Sequence, residues 1–243
     1  MENNTSDYVY KNVIQIDDAD ASRKYLANVF IWMFAALGIS AVITFEITQH
    51  LDFLKLIVDP VNGGFTGLGY IAIFSPLAFS VVINFGYNKI SYPIMVFLFL
   101  AYAAVIGISL SILCLIYTAS SIFSVFLTTS LVFGVMAVAG YTTRQDLTKF
   151  GSILYMIFIG AFIAGLVNFF LGSAQISYIL SFVFAAAMIG LTSYYVQLLK
   201  RIGAGLEYGS AQYKKLVIIG AFTLYTTFIN LFISLLRIFG NRR

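Results

Sequence analysis

The uncharged intervals of this chain constrain its fold more than any other feature. Between Lys89 and Arg144 lie 54 residues without an Asp, Glu, Lys or Arg, and between Lys149 and Lys200 another 50. A helix crossing ~30 Å of hydrocarbon needs about 20 predominantly apolar residues, so each interval holds two spans and a turn. Lys24 to Glu46 encloses 21 uncharged residues, Asp59 to Lys89 encloses 29 and Lys215 to Arg237 encloses 21. Each of these holds one span, the second with a loop attached. The expectation is an all-α integral membrane protein, a bundle of seven transmembrane helices. They are placed at Tyr25–Thr48, Leu68–Phe85, Tyr92–Ile116, Ser120–Thr142, Gly151–Leu171, Ile176–Leu199 and Leu216–Leu236. Continuous apolar runs, rather than short alternating segments, exclude a spanning β-barrel.

The charges that remain set the orientation. With a cytoplasmic N-terminus, the inside segments carry Lys11, Arg23, Lys24, Lys89, Arg144, Lys149, Lys200, Arg201, Lys214 and Lys215, and the outside loops only Lys55. That asymmetry follows the positive-inside rule. Arg237, Arg242 and Arg243 follow the seventh span and fall outside; a re-entrant last segment would bring them in. Residues 1–22 read as a polar, flexible tail and 23–243 as one transmembrane domain. The acidic leader (Asp7, Asp17, Asp18, Asp20) has the wrong charge for a signal peptide.

Several function classes drop out. A chain 60% hydrophobic and 10% charged is not a soluble domain. Basic residues at loop ends meet anionic headgroups, so the expected partner is the lipid bilayer and not nucleic acid. The lone His50 cannot build a three-histidine zinc site or serve an intramembrane serine protease. No P-loop occurs, and no Schiff-base lysine lies between Lys215 and Arg237. No enzyme, cofactor or metal centre is expected. Cys114 is the one cysteine, so an internal disulfide is impossible.

Polar groups inside the spans are the candidate functional residues: Glu46, Asn84, Asn168, Gln197, Thr226, Thr227 and Asn230. Intramembrane ionisable groups are costly and mark function by default, but Glu46 sits near a helix end within reach of water. Asn168 and Asn230, placed deep in their helices, suit either inter-helix hydrogen bonding or a polar pathway. Thr143 and Asp146, with Arg144 between them, suit the capped start of the fifth span. Tyr194 and Tyr195 suit an interfacial aromatic belt. Small residues four apart, Ala103–Gly107–Ser111, Gly160–Ala164 and Ala186–Gly190, suit packing seams. Pro76 is expected to kink the second span.

Four stretches resemble the Bax inhibitor-1 family, in particular its bacterial, YccA-like members. They are the first span from Tyr25, the junction Tyr141-Thr-Thr-Arg-Gln-Asp-Leu-Thr-Lys-Phe-Gly151, the run Gly165-Leu-Val-Asn-Phe-Phe170, and the ending from Leu224 to Gly240. The resemblance covers about residues 23–240 and implies seven spans in N-inside order, in the inner membrane if the source is bacterial. It further implies two facing aspartates, in helices six and seven, that operate a pH-dependent calcium leak. Here the family's Tyr-Asp-Thr-Gln is Tyr194-Tyr195-Val196-Gln197, and its Leu-Tyr-x-Asp-Phe-Ile-Asn is Leu224-Tyr225-Thr226-Thr227-Phe228-Ile229-Asn230. Both aspartates are replaced, by Tyr195 and Thr227, which do not titrate near neutral pH. The family's basic partner in helix two is also missing between Pro60 and Tyr87.

Two functions follow as expectations. One is a small-cation (calcium) leak or transporter without the di-aspartyl switch, with Tyr194, Tyr195, Gln197, Asn168, Thr227 and Asn230 as pore or latch positions and Tyr195 and Thr227 as a neutral hydrogen-bonded plug. The other is a regulatory protein that binds and modulates a membrane AAA protease of the FtsH type, which the resemblance associates with bacterial members.

Overall fold

The computed structural model describes residues 5–50, 64, 66–86 and 89–243, with side chains of the first helix described from Asp20 onward. Lys55 and the side chains of Lys11, Asp7, Asp17, Asp18, Pro76 and Asn84 lie outside the described residues.

Among the described residues seven helices follow one another: α1 (Thr5–Gln49), α2 (Gly67–Gly86), α3 (Tyr92–Ile116), α4 (Ala119–Thr142), α5 (Thr148–Leu171), α6 (Ala174–Ala204) and α7 (Ala211–Phe239). Among the described residues six stretches are long and apolar enough to cross a membrane: α1 from Asp20, and α3 to α7. The remaining helix, α2, has 20 residues. All helices except α3 extend past the sequence-expected bounds. A charge ends burial in lipid but does not stop i→i−4 hydrogen bonding, so Lys200 and Arg201 lie inside α6, and Lys214 and Lys215 inside α7.

Packing is organised around the last helix. α7 touches α1, α3, α4 and α6, and Ile218, Ala221, Leu224, Tyr225, Leu231 and Leu236 along it are fully buried. At the other extreme, α5 packs chiefly on α6 and turns Phe150, Met156, Ile163 and Phe170 outward. Exposed apolar side chains on this scale would aggregate in water; hydrocarbon solvates them.

Close approach depends on a few missing side chains. A Cβ on Gly107 would lie 2.8 Å from the Ser40 carbonyl oxygen, so the Ala103–Gly107–Ser111 stripe is a seam between α3 and α1. Gly140 brings α4 against the Ser193 backbone of α6, and Gly190 meets Leu154 of α5. The expectation fails for Gly160–Ala164: both are exposed and a Cβ on Gly160 meets nothing. Ala186 is also exposed. Four-residue spacing marks one face of a helix but not which face finds a neighbour.

The chain end is fixed. Thr118 N–H donates to the Asn241 carbonyl (3.1 Å) and Arg243 N–H to that of Ile116 (3.0 Å), and Asn241 N–H donates to Ser121 Oγ (2.8 Å). Helix α7 is continuous over 29 residues, about 43 Å. A continuous helix of this length has no re-entrant turn; Arg237 lies in its last turn, and Arg242 and Arg243 follow it and share an end with the α3–α4 connection.

Candidate functional site

At the opposite end of the bundle, several of the sequence-selected residues converge. Gln197, 6% exposed, grips the α4–α5 connection with both ends of its amide. Its Oε1 accepts from Leu147 N–H at 2.9 Å and its Nε2 donates to the Gln145 carbonyl at 2.7 Å. A buried amide with both polar atoms used is a clamp rather than a free pore ligand.

Asp146 completes the attachment from outside. Its Oδ1 accepts from Thr148 Oγ1 at 2.6 Å and Thr148 N–H at 3.0 Å and pairs with Arg201 Nη2 of α6 at 2.9 Å. Arg201 Nη1 also donates to Thr148 Oγ1 at 3.3 Å. These Thr148 hydrogen bonds, then Arg201, pull the Asp146 carboxyl down to about 2. The capping expectation is corrected in one detail. Thr143 is the C-cap of α4 and accepts from Gln145 N–H at 3.2 Å, while Asp146 serves the first amide of α5. Arg144 is exposed.

A second set of contacts, which sequence reasoning missed, ties three helices together beside this clamp. Lys200 Nζ donates to the Tyr141 carbonyl at 2.9 Å and lies 4.6 Å from the centroid of that ring, a cation–π geometry. Ser22 Oγ of α1 donates to the Lys200 carbonyl at 2.9 Å. Arg23 of α1 lies beside the Tyr141 side chain. Basic and aromatic residues at the ends of neighbouring spans were the available signal.

The other candidates do not converge. Tyr194 packs over Gly151 of α5, which makes it a packing residue rather than a member of an exposed belt. Tyr195 lies beside it, ring centroids 5.3 Å apart, near Tyr155 of α5. Thr227 Oγ1 donates to its own helix at the Thr223 carbonyl (2.8 Å). No hydrogen bond joins Tyr195 to Thr227 among the described residues, so the expected plug is not formed. Asn230 Nδ2 donates to the Thr226 carbonyl (2.9 Å). Asn168 is not deep in its span but at the α5–α6 turn, where Nδ2 donates to the Ser173 carbonyl (3.0 Å) and Ser177 Oγ (2.7 Å). Gly172 follows in the left-handed conformation, φ 67°, which a glycine adopts without strain. Glu46 pairs loosely with His50, 4.0 Å away at the exposed end of α1.

In the core, hydroxyl groups join α1, α3 and α7. Ser40 Oγ stands 2.6 Å from Tyr225 Oη and 2.7 Å from the Ala103 carbonyl. Thr44 Oγ1 donates to the Gly107 carbonyl (2.9 Å), and Tyr102 and Thr226 hydroxyls lie 3.4 Å apart. Ser40 and Thr44 are four apart on the α1 face that meets the Gly107 seam, a pattern readable from sequence once that seam is paired with α1. Among the described residues no three His, Cys, Asp or Glu side chains cluster.

Comparison with known proteins agrees with this architecture. The family model described as "Inhibitor of apoptosis-promoting Bax1" matches residues 22–243. The chain is 37% identical over 222 residues to inner membrane protein YbhL of Escherichia coli, covering 90% of this chain and 92% of that protein. It is 38% identical over 229 residues to an uncharacterized protein of Rickettsia prowazekii, covering 91% of each. A protein of Borreliella burgdorferi is 36% identical over 220 residues, covering 90% of this chain and 93% of that one. With six membrane-length helices among the described residues, the buried C-terminal helix being one of them, this chain is an integral inner membrane protein and belongs to the Bax inhibitor-1 family.

Proposed function

We propose that this chain is a seven-span protein with its N-terminus inside, whose cytoplasmic end binds and moderates a membrane AAA protease of the FtsH type. The observation that carries this reading is the Gln197 clamp. It makes the α4–α5 connection a fixed surface that presents Arg144, Lys149 and Phe150 outward, as a docking loop requires. The groups that would line a polar pathway are meanwhile engaged: Gln197 with this loop, Thr227 and Asn230 with their own helix, Asn168 with a turn. Arg23, Lys24, Arg144, Lys149, Lys200, Arg201, Lys214 and Lys215 gather at this end, which favours it as the inside.

A second reading is a calcium or other small-cation leak without a carboxylate switch. The hydroxyl seam of Ser40, Thr44, Tyr102, Tyr225 and Thr226 favours it, since hard cations take oxygen ligands.

Co-reconstitution in liposomes tests both. A purified membrane AAA protease and a membrane-protein substrate are combined with this protein, and a calcium dye is enclosed. Slower substrate turnover that recovers with Gln197→Leu, or after removal of residues 2–20, supports the regulatory reading. Unchanged turnover, with dye signal above empty liposomes from pH 5 to 8, overturns it in favour of the leak.

A further inference from the structure

α1 and α4 diverge and leave between them a groove of about 660 Å³. Phe30 and Phe34 of α1 and Phe133 and Val138 of α4 form its walls, and Val196 of α6 and Phe228 of α7 its floor. From Leu26 to Ala41 on one side, and Phe126 to Tyr141 on the other, it extends about 22 Å at the helical rise. That exceeds the ~15 Å half-thickness of the hydrocarbon core, so an acyl chain lies along it in full. A smaller cavity of about 260 Å³ continues it past Leu37 and Phe126 towards Thr44 and Thr48.

The groove has one charged end. Arg23 and Tyr141 line it there, and Lys200 lies over the same tyrosine ring. Asp20 approaches Arg23 only at Nη1, at 3.6 Å, and both side chains are largely exposed. The guanidinium, with its five donors in a planar fork, retains capacity for a phosphate. Two glycines widen the middle: Gly38 and Gly134 both line the groove, and a Cβ on either meets no atom within 4 Å.

A long apolar trough with a single cationic mouth, parallel to the spans, has the polarity of an anionic amphiphile; a partner helix needs no such mouth. We propose that the α1–α4 groove holds an acyl chain of one anionic phospholipid whose phosphate is bound by Arg23 with Tyr141.

Native mass spectrometry of the detergent-purified protein, offered equal phosphatidylglycerol and phosphatidylcholine, tests this. One lipid is retained, phosphatidylglycerol over phosphatidylcholine by about fivefold, the worth of one basic group near an anionic headgroup. Arg23→Gln brings the ratio to near one while a lipid stays bound. Gly134→Leu, and independently Gly38→Leu on the facing wall, fill the groove and abolish retention of both lipids at an unchanged melting temperature. Equal retention by all variants overturns the proposal. So does a dimer of the native chain that Gly134→Leu dissociates, which would place a second copy in the groove. Should neither glycine variant fold, the Arg23→Gln ratio alone decides.

Discussion

The hydroxyls of Ser40 on α1 and Tyr225 on α7 stand 2.6 Å apart, with the two side chains 1% and 0% exposed. The first and the central helix are thus joined by a hydrogen bond with no outside competitor. Ser40 also reaches the Ala103 carbonyl at 2.7 Å, so if Tyr225 donates to Ser40, Ser40 has its own acceptor. Tyr225→Phe then removes one bond and leaves nothing unpaired, a loss of about 0.5–1.5 kcal/mol. Ser40→Ala strands the buried phenol and should cost more, ~1–3 kcal/mol. The double variant is expected to be more stable than Ser40→Ala alone, as read by unfolding in mixed detergent micelles. Strictly additive losses would show that the two hydroxyls are not coupled.

Gln197→Leu keeps the volume of the clamp and removes both of its hydrogen bonds to the α4–α5 connection. The Leu147 N–H and the Gln145 carbonyl must then turn to water, and the connection opens locally. Amide exchange at Leu147 should accelerate by at least about tenfold, the effect of ~1.4 kcal/mol. Amides in the middle of α7 should keep their protection. Unaltered exchange at Leu147 would mean that the loop is held by Asp146 and Arg201 alone.

The difference between these two sites shows what a sequence carries. Spans were legible because lipid imposes one strong rule on composition, and α3 has the expected bounds, Tyr92–Ile116. Its flanks carry their own punctuation: Pro93 sits in the first turn, and extended Tyr117 ends the helix. Gln197 was legible as a candidate because a polar amide in a span is conspicuous. Its role was not, since the partners are backbone groups some 50 residues away, and a backbone partner leaves no trace in side-chain identity. Asn168 was misplaced for a related reason. The end of its span at Leu171 was read correctly, but its partners, the Ser173 carbonyl and the Ser177 hydroxyl across the turn, are not announced by its own side chain. The groove between α1 and α4 was invisible because it exists through what Gly38 and Gly134 lack.

Glycines of the same helical type should respond in opposite ways to alanine. A Cβ at Gly140 runs into the Ser193 carbonyl oxygen, a backbone atom that cannot rotate away. Gly140→Ala should separate α4 from α6 and destabilise by about 1–3 kcal/mol, as overpacking does. At Gly160 the same change meets open space and removes a helix-destabilising residue, so stability should rise by roughly 0.5–1 kcal/mol. Melting temperatures of the two variants in one detergent check this. Equal shifts would place Gly140 away from an interface.

Asp146 sets the acid limit of the clamp on the α4–α5 connection. Its carboxyl is held at about 2 against an ordinary 3.8, chiefly by the hydrogen bonds from Thr148. A carboxyl depressed in the folded state contributes stability that is fully present above its unfolded value and is lost as pH falls through its folded one. The attachment of the α4–α5 connection should therefore be constant from pH 8 to about 5 and weaken between about pH 4 and 2. Asp146→Asn should abolish that acid limb and leave Arg201 without its carboxylate at every pH. Exchange at Thr148 N–H, followed from pH 7 downward in both proteins after correction for intrinsic rates, reads the effect. A transition between pH 6 and 8 in the native chain would point to a titrating group elsewhere and to a switch that replaces the missing aspartates.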